Sequence, residues 1–201
     1  MITPKPYLSW SQLTLWESAP ERYKDYYLKG IGNSIPLSRG VVLGKDVATA
    51  LETGEETGDE LRDLVIAQIP RLADSEREIK ATIKIGKIEI PLLGKLDASS
   101  KDLMTIKEYK TGQTKWTQKL VDKQGQITMY CVIIQALTGE IPKDIELVHI
   151  PTKADEDGKL ELTGDIIIIP TERTTIDILK MKSRIKKAWL EIGKMCEEAI
   201  I

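Results

Sequence analysis

Leu92-Leu-Gly94-Lys-Leu-Asp97, then Met104-Thr-Ile-Lys-Glu108-Tyr109-Lys110, then Gln126-Ile-Thr-Met-Tyr130: these three runs follow one another within residues 92–130. An acid closes the first apolar run. Glu108 and Lys110 stand two apart on the second, so a strand presents both on one side. The third falls in a segment with helical spacing. Two carboxylates and an ammonium meeting at a strand end suit a divalent-metal site for phosphodiester hydrolysis. The plain alternative is a salt bridge between strands, because Glu-x-Lys alone says little.

Working outward, residues 78–85 alternate, with Ile79, Ala81, Ile83 and Ile85 on one face. Gly86-Lys87 reads as a hairpin turn, and residues 88–97 and 103–111 read as the next two strands, a β-meander. Residues 113–137 read as one long helix. Trp116, Leu120, Ile127, Cys131 and Ile134 form its core stripe. Lys119, Lys123, Gln126 and Tyr130 form a polar, basic and aromatic stripe beside it. Thr138-Gly139 ends it. Two further strands are expected over residues 144–150 and 159–169, and a closing helix over 175–199.

Before the meander the pattern is helical. Ser9 or Ser11 can cap a short helix bearing Leu13 and Trp16. Pro20 suits the first turn of a second helix, which Gly30 ends. Residues 40–52 read as a helix with Leu43, Val47 and Leu51 on its apolar face, and 59–72 as another. The expected architecture is α/β (α+β): a mixed central sheet flanked by helices in αβββαβ order, with a helical N-terminal segment and a C-terminal helix. We expect one domain over residues 1–201, divided into a helical part (1–75), the sheet with its site helix (76–170) and the closing helix (171–201).

The chain has 201 residues, 41% hydrophobic and 30% charged, with net charge −2. These are globular values. No apolar run is long enough to span a bilayer, and Met-Ile-Thr-Pro-Lys-Pro at the N-terminus has no apolar stretch of the secretory kind. A cytoplasmic protein without membrane contact is expected. The balance of charge is not that of a typical nucleic-acid binder, although a nuclease must also hold metal carboxylates. Cys131 and Cys196 are too few for a zinc or iron–sulfur set and read as buried thiols. His149, the only histidine, reads as structural. Trp10 and Trp16 read as packing residues, with base stacking the alternative.

In order, these motifs resemble those of the PD-(D/E)XK nuclease superfamily, in its RecB-like exonuclease branch. Gly94-Lys-Leu-Asp97 is similar to the Gly-x-x-Asp motif of that branch. Glu108-Tyr-Lys110-Thr-Gly is similar to its Asp/Glu-x-Lys-Thr-Gly, and Gln126-Ile-Thr-Met-Tyr130 to its Gln-x-x-x-Tyr. Ser9-Trp-Ser11 through Ala19-Pro20-Glu-Arg22-Tyr23 resembles its N-terminal segment. Gly44-Lys-Asp-Val47-Ala-Thr-Ala-Leu-Glu52 resembles its Gly-x-x-His-x-x-x-x-Glu helix.

The resemblance implies a restriction-endonuclease-like core and a metal-dependent deoxyribonuclease acting on DNA ends. Asp97, Glu108 and the backbone carbonyl of Tyr109 would bind Mg²⁺ or Mn²⁺, Lys110 would position the attacking water, and Gln126 and Tyr130 would hold substrate. Lys119 and Lys123 would then meet phosphates further along. Two departures stand out. Val47 replaces a metal-binding histidine and cannot ligate, so either the second metal site is lost or Glu52 of the same helix supplies the missing ligand. Ala19 replaces the cysteine of iron–sulfur relatives, so no iron–sulfur cluster is expected. The resemblance also implies recombination, repair, or phage or mobile-element DNA processing, with a homo-oligomer or a recombination partner protein as further expectations. Alternatives are a structure-specific or single-strand endonuclease, and a nucleic-acid-binding module with a degenerate nuclease fold.

Overall fold

The computed structural model describes residues 3–31, 51, 53, 60–154 and 160–199. In chain order the elements are β1 (Leu8–Ser9), α1 (Trp10–Ser18), α2 (Pro20–Tyr27), α3 (Glu60–Gln68), β2 (Asp74–Ile85), β3 (Ile88–Ser99), β4 (Thr105–Thr111), α4 (Gln118–Asp122), α5 (Gly125–Thr138), β5 (Asp144–Ile150), β6 (Thr152–Ala154), β7 (Leu160–Leu162), β8 (Ile167–Thr171) and α6 (Thr175–Glu198). The helix expected over residues 40–52 lies outside the described residues, apart from Leu51.

The central sheet is mixed, as expected. Its order is β1-β3-β4-β5-β8, with β2 along the other edge of β3. β2 and β3 form a long antiparallel ladder from Asp74↔Ser99 to Ile85↔Ile88. Gly86, at φ 65°, makes the turn that joins them. β4 and β5 run parallel, joined by the α4–α5 crossover. The strand expected over 159–169 is two strands: β7 pairs with β6 in a small sheet of its own, and β8 pairs with β5.

β5 is apolar on both faces and separates two cores. Ile145 and Leu147 join the large cluster with α5 and α6, while Val148 and Ile150 join Leu51, Val65 and Ile69. In α6, Ile178, Met181, Ile185, Trp189, Ile192 and Cys196 are buried at helical spacing. A capping box between Thr174 and Asp177 starts that helix. Ala199, the last residue of the expected closing helix, is its exposed C-cap. Trp16 packs edge-on against Tyr23 and donates to Glu191 at 3.0 Å, a packing role.

The crossover departs from expectation. Residues 113–137 form no continuous helix. α4 is capped by Thr117, and the chain breaks at Gln124 (φ −67°, ψ 108°) before α5 begins. Gln124 itself caps α5, its side chain accepting from Gln126 N at 2.7 Å. Apolar spacing runs across the break, so periodicity alone joins the two helices. The break also separates Lys119 and Lys123 from the helix that carries Gln126 and Tyr130, so the four residues do not share one stripe.

Candidate active site

The site lies where β3 and β4 part. β2 fills one edge of β3 along its length. The other edge is shared: β1 pairs at Leu92 and Leu93, and β4 at Ala98 and Ser99. Along residues 94–97 the edge of β3 opposite β2 therefore opens on a fork with no paired strand among the described residues. Their polar groups must find other partners. The Asp97 carboxylate accepts from Tyr109 N at 2.7 Å, across the fork. Lys95 O accepts from the Tyr130 hydroxyl at 2.5 Å. Gly94 makes the second contact sterically feasible, because a Cβ there would lie 3.0 Å from the Tyr130 ring and 3.1 Å from Ile133.

On β4 the alternation sorts side chains between the two cores. Ile106 joins the α5 side, and Glu108 and Lys110 follow it at spacings of two. Tyr109 packs in the other core. Lys107 is also buried, bonding Pro70 O at 3.1 Å and pairing with Glu146 at 3.1 Å. Lys110 Nζ donates to Glu108 Oε1 and to Gln126 Oε1, the latter at 3.3 Å. Gln126 Nε2 donates in turn to the Tyr130 hydroxyl at 2.7 Å. The three sequence runs thus form one hydrogen-bonded chain: Glu108, Lys110, Gln126, Tyr130, Lys95.

Charge in this fork is held under tension. Burial, and then the neighbouring Asp97 charge, push Glu108 from its ordinary 4.5 up to about 8, against the pull of Lys110. Burial also raises Asp97, opposed by its bond from Tyr109 N and by Lys110. Glu108 Oε2 is buried with no hydrogen-bond partner. A cation at the two carboxylates would relieve all three conditions. Among the described residues no group of three or more His, Cys, Asp or Glu side chains converges as a metal cluster. Glu52 and Val47 lie outside the described residues.

His149 is buried opposite Lys110 on β5, its Nε2 3.1 Å from Gly112 O, and helps fold the chain leaving β4. Cys131 and Cys196 are both buried free thiols. Lys119 and Lys123 are exposed. Lys123 lines a groove of about 490 Å³ with Trp10, Trp116 and Gly125. Two supports have no signal in the local sequence. Trp10 fills the space over Gly125, where a Cβ would fall 2.2 Å from the ring. Arg173, from the segment before α6, bonds across the α4–α5 break.

No family model and no curated protein matches the chain. Solved structures do. A provisionally assigned exonuclease from Eubacterium rectale superposes with TM-score 0.59 at 15% identity, over 94% of this chain and 80% of its own. The protein SSO0001 superposes with TM-score 0.51 at 15% identity, over 93% and 78%. An alkaline exonuclease from Laribacter hongkongensis gives TM-score 0.48 at 13% identity, over 96% and 91%. At these identities the likeness is one of fold, and the chain shares the fold of the Eubacterium rectale structure across nearly its whole length.

Proposed function

We propose that the chain is a Mg²⁺- or Mn²⁺-dependent deoxyribonuclease of the PD-(D/E)XK superfamily that hydrolyses phosphodiester bonds at DNA ends. The observation that carries this reading is the fork. It brings two carboxylates, one with an orphaned buried oxygen, against a lysine and a Gln–Tyr helix face. The fold likeness to an exonuclease structure supports the same reading.

The donor set fits a hard cation: carboxylate oxygens and a backbone carbonyl, with no sulfur or imidazole. Asp97, Glu108 and the carbonyl of Tyr109 would hold it, with Glu52 as a further ligand. When bound, the ion neutralises phosphate charge and lowers the pKa of water. The chain's own residues do the rest. Glu108 Oε1 and Gln126 Oε1 hold the Lys110 ammonium, which orients the attacking water and offsets charge developing on the phosphate. Tyr130, itself buried, fixes Gln126, whose half-buried side chain faces the substrate backbone. Lys119 and Lys123, on the far side of the helix break, take phosphates further along the strand. Recombination, repair, or phage or mobile-element DNA processing in the cytoplasm is the setting that the motif resemblance suggests.

The test uses end-labelled linear DNA with Mg²⁺ or Mn²⁺. Wild-type protein should degrade it, and Lys110→Ala should be slower by about 100-fold or more. Equal rates for the two proteins would remove the catalytic assignment.

A further inference from the structure

We infer that Arg173 is a positioning residue of this site: it holds the break between α4 and α5, and so places Gln126 against Lys110. The inference rests on the nuclease reading for its kinetic consequence alone.

The break needs a cause, because the apolar spacing of residues 113–137 favours one continuous helix. Interrupting that helix costs the last carbonyls of α4 their i+4 donors, and Gln124 N closes a tighter bond to Val121 O at 3.0 Å. Arg173 adds donors from outside the crossover. Its guanidinium is 6% exposed. Nη2 donates to Val121 O at 2.9 Å and to Gln124 O at 3.2 Å, one carbonyl on each side of the break. Nε donates to Thr128 Oγ1 at 2.8 Å, in the first turn of α5. Nη1 donates to Thr171 Oγ1 at 2.6 Å and Glu172 O at 2.7 Å, which anchors the group beside β8. The planar five-donor fork of arginine suits this set, and the point-like ammonium of lysine does not.

From there the bonds lead to the fork. Gln124 O, held by Arg173, also accepts Thr128 N at 3.3 Å. The Gln124 side chain accepts Gln126 N. Gln126 Oε1 takes Lys110 Nζ, and Gln126 Nε2 donates to Tyr130. A continuous helix through this point would rotate Gln126 relative to β4 and break the contact with Lys110. Arg173 touches none of the proposed reacting groups, so its effect must travel through Gln124 and Gln126.

Two variants test this. Arg173→Met removes every donor at similar length. Thr128→Val removes the acceptor of Arg173 Nε, together with the Thr128 Oγ1 bond to Gln124 O at 3.2 Å, and leaves the arginine in place. In NMR spectra of metal-free protein, both should shift the side-chain amide pair of Gln126 and speed hydrogen exchange at residues 126–128. Amides of the β2–β3 ladder should keep their protection. With Mn²⁺ and linear DNA, Arg173→Met should lower kcat by about 100-fold. In a Gln126→Ala background it should lower kcat no more than about twofold further, because the two act as one unit. Unmoved Gln126 resonances, or kinetic losses that multiply, overturn the inference. Should Arg173→Met fail to fold, Thr128→Val decides by the same NMR reading. If wild-type protein cleaves no DNA, the nuclease reading falls, and the NMR result still decides the role of Arg173.

Discussion

Glu108 is 3% exposed, and of its two carboxylate oxygens only Oε1 has a donor. Burial and the Asp97 charge raise it to about 8, so in metal-free protein at neutral pH it holds a proton that the unfolded chain has released. Its contribution to stability is therefore full below about pH 4.5 and is lost as pH rises through about 8. Glu108→Gln, which keeps the shape of the protonated acid, should be more stable than wild type at pH 9 in chelator, by an amount on the order of 1–3 kcal/mol. The two should match near pH 4. Urea denaturation at both pH values checks this, and a gain at pH 9 that is absent or reversed would count against the buried acid. Mn²⁺ should bind more tightly as pH rises toward 8 and release a proton as it does so, readable by calorimetry in buffers of different ionisation enthalpy. That Glu108 and Lys110 share one face of a strand was legible, because strand alternation is a rule of spacing two that needs no knowledge of the fold; Asp97 stood out only as the acid that closes an apolar run. Arg173 was not legible. Its acceptors Val121, Gln124 and Thr128 lie 52, 49 and 45 residues away.

At the scale of elements, the sequence disclosed its strands, turns and caps better than its junctions. The β2–β3 hairpin, the Ser9 cap and the Gly139 stop follow from local chemistry, and they stand where expected. The fork and the crossover break arise from distant groups. Tyr130 reaches Lys95 only because β4 leaves β3 after two pairs. α5 can start beneath α1 only because residue 125 is glycine. A methyl there would sit 2.2 Å from Cη2 and 2.8 Å from Cζ3 of Trp10. Gly125→Ala should therefore destabilise the protein by about 1–3 kcal/mol through overpacking. Trp10→Leu should also be destabilising by itself, through the cavity it leaves. Combined, the two should cost less than their sum, since the smaller leucine side chain makes room for the methyl. A double-mutant cycle in urea measures that coupling, and strict additivity would mean that α1 does not set the position of α5.

For the whole molecule, charge and fold together constrain how the proposed DNA substrate would be engaged. The net charge is −2, and in the proposed nuclease phosphates would be met chiefly by local cations and the metal site. The salt dependence of binding reports how many phosphates are contacted, at close to one unit of slope per phosphate. For this chain, binding to a linear fragment in Ca²⁺ should weaken with salt at a slope of about −2 to −4. A slope near −8 would reveal an extensive basic footprint and contradict the reading of a compact contact centred on the fork. The same limited footprint bears on where cleavage begins. Lys110 and Tyr130 tie Gln126 to the edge where two strands diverge, and in the proposed reaction a nucleotide would reach it more readily from a free end than from the middle of a stacked duplex. Linear DNA should accordingly disappear with Mn²⁺ while a covalently closed circle of the same sequence persists, and one nick or gap in that circle should restore degradation. Cutting of the intact circle at a comparable rate would assign the site to an endonuclease, with the fork and its metal carboxylates unchanged and the mode of entry different.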